Sequence, residues 1–226
     1  APLVKFLKER QKAEGPIRVQ VVSTSTRWEA VYVAKRFPLA RGWETQLDNK
    51  YQPQFYTDGV ASGTYPAWLR ETGASYVAVP DAAPDSTGVF EQEIYKHKVP
   101  YVHRVWSNKH WRVYKISDPR PLIEGPATLT RLSPTSFSLT AHEARLALVR
   151  VRFSPYWQIV RGDGCVKKGP DDWTFVYPTK PGPMRIETRF NVTRIVDRGP
   201  ICTDGSQLPE QLGPKNPNGP QPRNAP

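Results

Sequence analysis

The stretch Ser117-Asp-Pro-Arg-Pro121 divides the chain into two parts that obey different periodicities. Proline locks φ, lacks a backbone donor and pushes the residue before it toward extended geometry, so neither a helix nor a central strand runs through it. Before this break, segments of helical and strand period alternate. Beyond it no helical period is evident, and short β-type segments follow one another between turn residues. The chain therefore reads as α/β followed by all-β, with residues 15–117 in the first domain and 118–205 in the second.

The first domain opens with Ile17-Arg-Val-Gln-Val-Val22, an alternating β-branched strand behind the breaker Gly15-Pro16. Ser23 to Thr26 offer N-caps for a helix over 28–36. Thr64 is placed to cap a second helix, Tyr65 to Thr72, with Pro66 in its first turn and Gly73 as its stop. Ser75 to Val79 reads as a buried strand, 89–97 as a helix and 101–105 as a strand. Trp111 to Ile116 reads as a strand with Trp111, Val113 and Lys115 on one face and Arg112, Tyr114 and Ile116 on the other. This order predicts a small α/β domain with a mostly parallel sheet. Ahead of it, apolar Leu3, Val4, Phe6 and Leu7 among charges make residues 1–14 a short helix or a linker continuing from something upstream.

In the second domain, β segments are expected at 127–131, 136–140, 144–153, 157–160, 173–176 and 184–191, separated by turns such as Gly162-Asp-Gly164 and Pro181-Gly-Pro183. This spacing predicts an antiparallel β-sandwich. Leu146, Leu148, Arg150 and Arg152 alternate with Ala147, Val149, Val151 and Phe153, so one face of that strand is buried. Tyr156 and Trp157 either close the core or line a shallow groove. The Pro-, Asn- and Gly-rich residues 206–226 carry too little apolar surface to offset ordering entropy and are expected to form a disordered tail.

Composition narrows the class further. With 24 Pro the chain is not a helical bundle, and seven Trp and ten Tyr supply a core. The net charge of +11 is spread among acids with no run of Lys or Arg longer than two. A nucleic-acid partner is therefore not expected, while an anionic membrane surface or an anionic glycan stays open. Cys165 and Cys202, without a C-x-x-C pair or a His cluster, read as a disulfide of an exported protein, with two buried thiols as the alternative. No apolar run reaches the roughly 20 residues of a membrane span, and the start at Ala1 shows no signal peptide, as expected of a piece of a longer protein.

Chemistry is most concentrated in Ala40-Arg-Gly-Trp-Glu-Thr-Gln-Leu-Asp48 and Phe55-Tyr-Thr-Asp58. A saccharide offers an apolar C–H face and a rim of hydroxyls, which a flat aromatic and planar carboxylate, amide or guanidinium groups match. Arg41, Trp43, Glu44, Gln46, Asp48, Tyr56 and Asp58 are the candidate substrate-binding residues, and a structural loop plugged by Trp43 is the alternative. Glu44, Asp48 and Asp58 could also act as a hydrolytic acid and base. Asp81 and Asp85 follow a strand, where open sheets bind ligands, but are equally good turn formers. No G-x-S-x-G elbow is present, and His97, His103 and His110 share no obvious face, so neither a nucleophile, a metal nor a cofactor is assigned. Asn191-Val-Thr193 matches a glycosylation acceptor pattern.

The stretch 40–48 together with Tyr76-Val-Ala-Val-Pro-Asp81, His110-Trp-Arg-Val-Tyr114, Val149-Arg-Val-Arg-Phe-Ser-Pro-Tyr-Trp157 and Gly162-Asp-Gly-Cys165 resembles the C-terminal extracytoplasmic region of actinobacterial polytopic membrane proteins similar to GT-C-type glycosyltransferases. The resemblance covers roughly residues 15–205. It implies an upstream transmembrane region as partner, a location on the extracytoplasmic face of the membrane, and a catalytic carboxylate outside this chain. By that analogy the chain recognises a glycan or a lipid-linked saccharide and holds no catalytic residue. A secreted carboxylate-dependent glycan hydrolase and a non-catalytic structural or protein-interaction domain are the rival expectations.

Overall fold

The structure is a computed structural model that describes residues 2–42, 50–57, 63–188 and 202. Its first part is a four-stranded sheet with helices on both faces. The strands are β1 (Val19–Val21), β2 (Tyr76–Pro80), β3 (Val102–Ser107) and β4 (Trp111–Ile116), in spatial order β1-β2-β4-β3. Every residue of β2 is buried, as the central position requires. Tyr76 and Ala78 face one layer, where α1 (Pro2–Glu14) and α2 (Trp28–Ala34) deliver Leu3, Leu7 and Val33. Val77 and Val79 face the other, against Tyr65 and Leu69 of α3 (Tyr65–Glu71) and Tyr95, which follows α4 (Val89–Ile94). Burying each such valine stabilises the fold by roughly 1.5–3 kcal/mol relative to exposure.

The sheet is mixed, a correction to the expected mostly parallel arrangement. β1 and β2 pair in parallel, but β4 runs antiparallel to both β2 and β3. The cause is local. Only Asn108 to His110 separate β3 from β4, too few residues for a parallel crossover, and the Asn108 side chain ties the turn by accepting from the backbone N–H groups of His110 and Trp111 at 2.9 and 2.8 Å. The helix ends differ in detail as well. α2 starts behind Arg27, a non-glycine residue at φ 59° whose side chain makes no cap bond; the hydroxyls of Thr24 and Thr26 donate to Glu29 Oε2, and Thr24 Oγ1 accepts from the Arg27 backbone N–H at 3.1 Å.

The second part holds two antiparallel four-stranded sheets. One is ordered β10 (Gly164–Lys168), β11 (Trp173–Pro178), β8 (Ala147–Arg152), β5 (Ile123–Glu124), and the other β6 (Ala127–Leu132), β7 (Ser136–Ala141), β12 (Gly182–Thr188), β9 (Trp157–Arg161). Val149, Val166 and Val176 of the first sheet share one buried cluster with Phe137, Leu139, Trp157, Met184 and Ile186 of the second. Trp157 thus closes the core, whereas Tyr156 is exposed. β10 was not expected as a strand. Its Gly-Cys-Val-Lys-Lys sequence is that of a sheet edge, where lysines discourage pairing with other chains. Cys165 on it is disulfide-bonded to Cys202, whose backbone N–H also donates to the Val166 carbonyl at 3.0 Å.

Two buried arginines bind the parts together. Arg18, just before β1, donates to the carbonyls of Thr72 and Arg150. Arg150, on β8, donates from Nε to the Glu71 carbonyl at 2.9 Å and from Nη1 to the Pro121 carbonyl and Glu124 Oε1, both at 2.8 Å. Gly73, at φ +66°, lies so close to Leu122 that a Cβ would stand 2.9 Å from its Cδ2, so the end of α3 packs directly on the connecting segment.

Candidate functional site

A cleft of about 700 Å³ opens where the two parts meet. Lys50 and Tyr51 form one wall and Trp68, Glu71 and Thr72 of α3 a second. Arg152, the last residue of β8, and Asp171, Asp172 and Trp173 at the start of β11 form the third. The Arg152 guanidinium carbon sits 3.9 Å from the Trp173 ring centre and 4.5 Å from that of Tyr51, so the cation is within cation–π distance of both rings. Its Nη1 donates to the Asp171 carbonyl. Arg18 approaches the Trp173 ring at 5.8 Å. Burial pushes the Arg152 pKa down, while Tyr51, Asp172, Asp171 and Glu71 hold it up.

Asp172 is the charged centre of the far wall. Lys168 Nζ stands 2.5 Å and Lys50 Nζ 3.7 Å from its carboxylate, and the Tyr51 hydroxyl bonds to it. The Lys168 hydrogen bond, chiefly, holds its pKa below the usual carboxylate range. Asp171 and Asp172 are consecutive non-glycine residues in the left-handed region, at φ 50° and 59°. Such residues cost of order 1–3 kcal/mol each and concentrate at ligand sites. On the second wall the Trp68 indole N–H donates to Gln52 Oε1 at 2.6 Å, and its ring lies against Tyr65 and Phe55. A planar cation, two carboxylates (Glu71 and Asp172) and two partly exposed rings (Tyr51 and Trp68) therefore converge on one open groove.

The expected binding residues fall around this cleft in different ways. Trp43, Glu44, Gln46, Asp48 and Asp58 lie outside the described residues, although Lys50, two residues past Asp48, lines the cleft. Tyr56 is 39% exposed. Arg41 is not at a rim. It is 6% exposed, with its guanidinium 4.1 Å above the Phe55 ring and Nη2 donating to Thr87 Oγ1 at 3.0 Å. Phe55 and Gln52 pack on Trp68 of α3, and Gln52 Nε2 also donates to the Ala40 carbonyl at 3.5 Å, so residues 40, 52 and 55 are tied to one another and to α3.

Beneath Arg41 lies a second polar cluster. Glu91 is fully buried. Gln20 Nε2 donates to its Oε1 at 2.8 Å, and so does the Tyr65 hydroxyl. With the Tyr65 proton so used, the Tyr95 hydroxyl donates to Tyr65 at 3.0 Å. Burial pushes the Glu91 pKa up to about 7, against the lowering pull of Tyr65, Arg41 and Gln20. Asp85 serves the turn before α4, accepting from Ser23 Oγ at 2.6 Å and from the backbone N–H groups of Thr87 and Gly88 at 3.0 and 2.8 Å. Asp81 pairs with His110 Nδ1 at 2.8 Å in the open. Among the described residues, no group of three His, Cys, Asp or Glu side chains could hold a metal ion.

Tyr51, Trp68, Arg152, Asp172 and Trp173 were not singled out from the sequence. One signal was available: Arg150 and Arg152 stand two apart on one face of a largely apolar strand, and charged residues there must meet partners from another layer. No family model matches the chain, and comparisons with curated proteins and with solved structures find no match.

Proposed function

We propose that the chain is the extracytoplasmic module of a membrane glycosyltransferase-like protein of the actinobacterial GT-C-resembling type. Its all-β part is a β-sandwich, and the module recognises a glycan or lipid-linked saccharide rather than carrying the transfer chemistry. The observation that carries this reading is the cleft between the two parts, where the partly exposed Tyr51 and Trp68 rings stand beside Arg152, Glu71 and Asp172. Sugars bind on such pairings of ring and planar polar group. Trp43, Glu44, Gln46, Asp48 and Asp58 remain candidates on their side-chain chemistry alone, outside the described residues. The Cys165–Cys202 disulfide supports an oxidising, extracytoplasmic location.

A structural role is the second reading, favoured by the ties that Asp172 already makes to Lys168 and Lys50. Titration with a panel of oligosaccharides, read by amide chemical shifts, separates the two. Saccharide binding is expected, and Tyr51→Ala and Trp43→Ala should each weaken it roughly tenfold, about 1.4 kcal/mol. Shifts that are absent, or insensitive to both substitutions, leave the structural role.

A further inference from the structure

On the opposite side of the sheet from α3, a groove of about 530 Å³ runs between α1 and α2, lined by Val4, Lys5, Lys8, Lys12, Tyr32 and Arg36 together with Glu9. Lys5, Lys8 and Lys12 recur at helical spacing on the exposed face of α1, a stripe roughly 10 Å long at 1.5 Å per residue. Arg36 follows the end of α2 on the other side. Four cations thus face one acid. Their side chains make no ion pair or hydrogen bond among the described residues. The floor is apolar, formed by Val4 and the Tyr32 ring, and the Tyr32 hydroxyl is buried without a hydrogen-bond partner among the described residues.

We infer that this groove is the surface by which the module docks on anionic phospholipid headgroups. Lysines along a helix with apolar stems over an apolar floor match the headgroup layer, which carries negative charge above apolar surface. The cations are exposed and aligned rather than converging on a point, which disfavours a pocket for a single phosphate, where donors close around the ligand. Duplex nucleic acid offers the charge without apolar surface for Val4 and Tyr32. Leu3 and Leu7 on the buried face of α1 are committed to the core and Val4 shows only an edge to the groove, so the contact is peripheral and reversible. The inference goes beyond the saccharide reading and does not rest on it: one surface lies between α1 and α2, the other at the junction cleft.

The test is flotation of the whole chain with phosphatidylcholine vesicles with and without phosphatidylglycerol, at low and at physiological salt. Binding is expected only with phosphatidylglycerol, and weaker as salt rises. Replacing Lys5, Lys8, Lys12 and Arg36 together by Gln should weaken it roughly a hundredfold or more, since each cation near an anionic surface contributes about a fivefold factor. All four side chains are exposed, so the fold is retained. Replacing Lys98, Arg104, Lys109 and Arg131 by Gln removes the same charge from exposed positions elsewhere and should leave binding within about threefold. Equal losses in both variants, no binding by the parent chain, or tighter groove-dependent binding to a DNA duplex than to vesicles would each overturn the inference.

Discussion

A carboxyl group that titrates near neutrality inside a core makes stability fall as the solution becomes less acidic. Glu91, raised from the ordinary 4.5 to about 7, is such a group. Unfolded, it loses its proton near 4.5. Folded, it keeps the proton until about 7, so its contribution is fully present below 4.5 and is lost as pH rises through 7. The difference corresponds to about 3 kcal/mol. Asp85, Glu14 and Asp172, whose pKa values are lowered, act with the opposite sign, but only where carboxylates ordinarily titrate, below that window. The melting temperature should therefore drop between pH 5 and 8 in the parent chain and stay level over the same range in Glu91→Gln. A level profile in the parent would mean that Glu91 is not held as described. Within the sequence Phe90-Glu-Gln-Glu-Ile94, Glu91 looks like any surface acid of a short helix. Its partners Gln20 and Tyr65 come from distant segments, and only their assembly decides which glutamate faces inward. Arg41 shows the same limit: its chemistry was readable, its direction was not.

At the level of elements, strands and helices were legible wherever apolar residues kept a period, as in β2, β4 and α3. What could not be read was adjacency. The insertion of β4 between β2 and β3 depends on a three-residue turn, and β10 escaped notice because an edge strand needs little apolar residue of its own. That weak strand is fastened by the Cys165–Cys202 disulfide, whose cysteines are separated by 37 positions in the sequence. Closing a loop of that length removes unfolded-chain entropy worth up to about 4 kcal/mol. Cys165→Ser should lower the denaturant midpoint by a corresponding amount. It should also speed amide exchange in β10 first, before β1 or β2 is affected, because the tether acts at that edge. An unchanged midpoint would show that the bond holds nothing the fold needs.

The whole molecule is set by the buried arginines between its parts. Truncating Arg150 leaves the part-buried Glu71 and Pro121 carbonyls without their donor, at about 1–3 kcal/mol for each acceptor so orphaned. Arg150→Ala should lower stability by that amount and split unfolding into two transitions. The parent chain should unfold in one, with tryptophan fluorescence and far-ultraviolet circular dichroism coinciding. Two transitions in the parent would mean that the junction, and the cleft built on it, is looser than its hydrogen bonds imply. The same cleft wall holds Asp171 and Asp172 in a backbone conformation that glycine adopts at no steric cost. Glycine at 172 would also discard the carboxylate that gathers Lys50, Lys168 and Tyr51. On the proposed saccharide reading, a screen for heat resistance and a screen for saccharide affinity would pull this pair of positions in opposite directions, and the residues each one retained would weigh folding against the proposed recognition at a single turn.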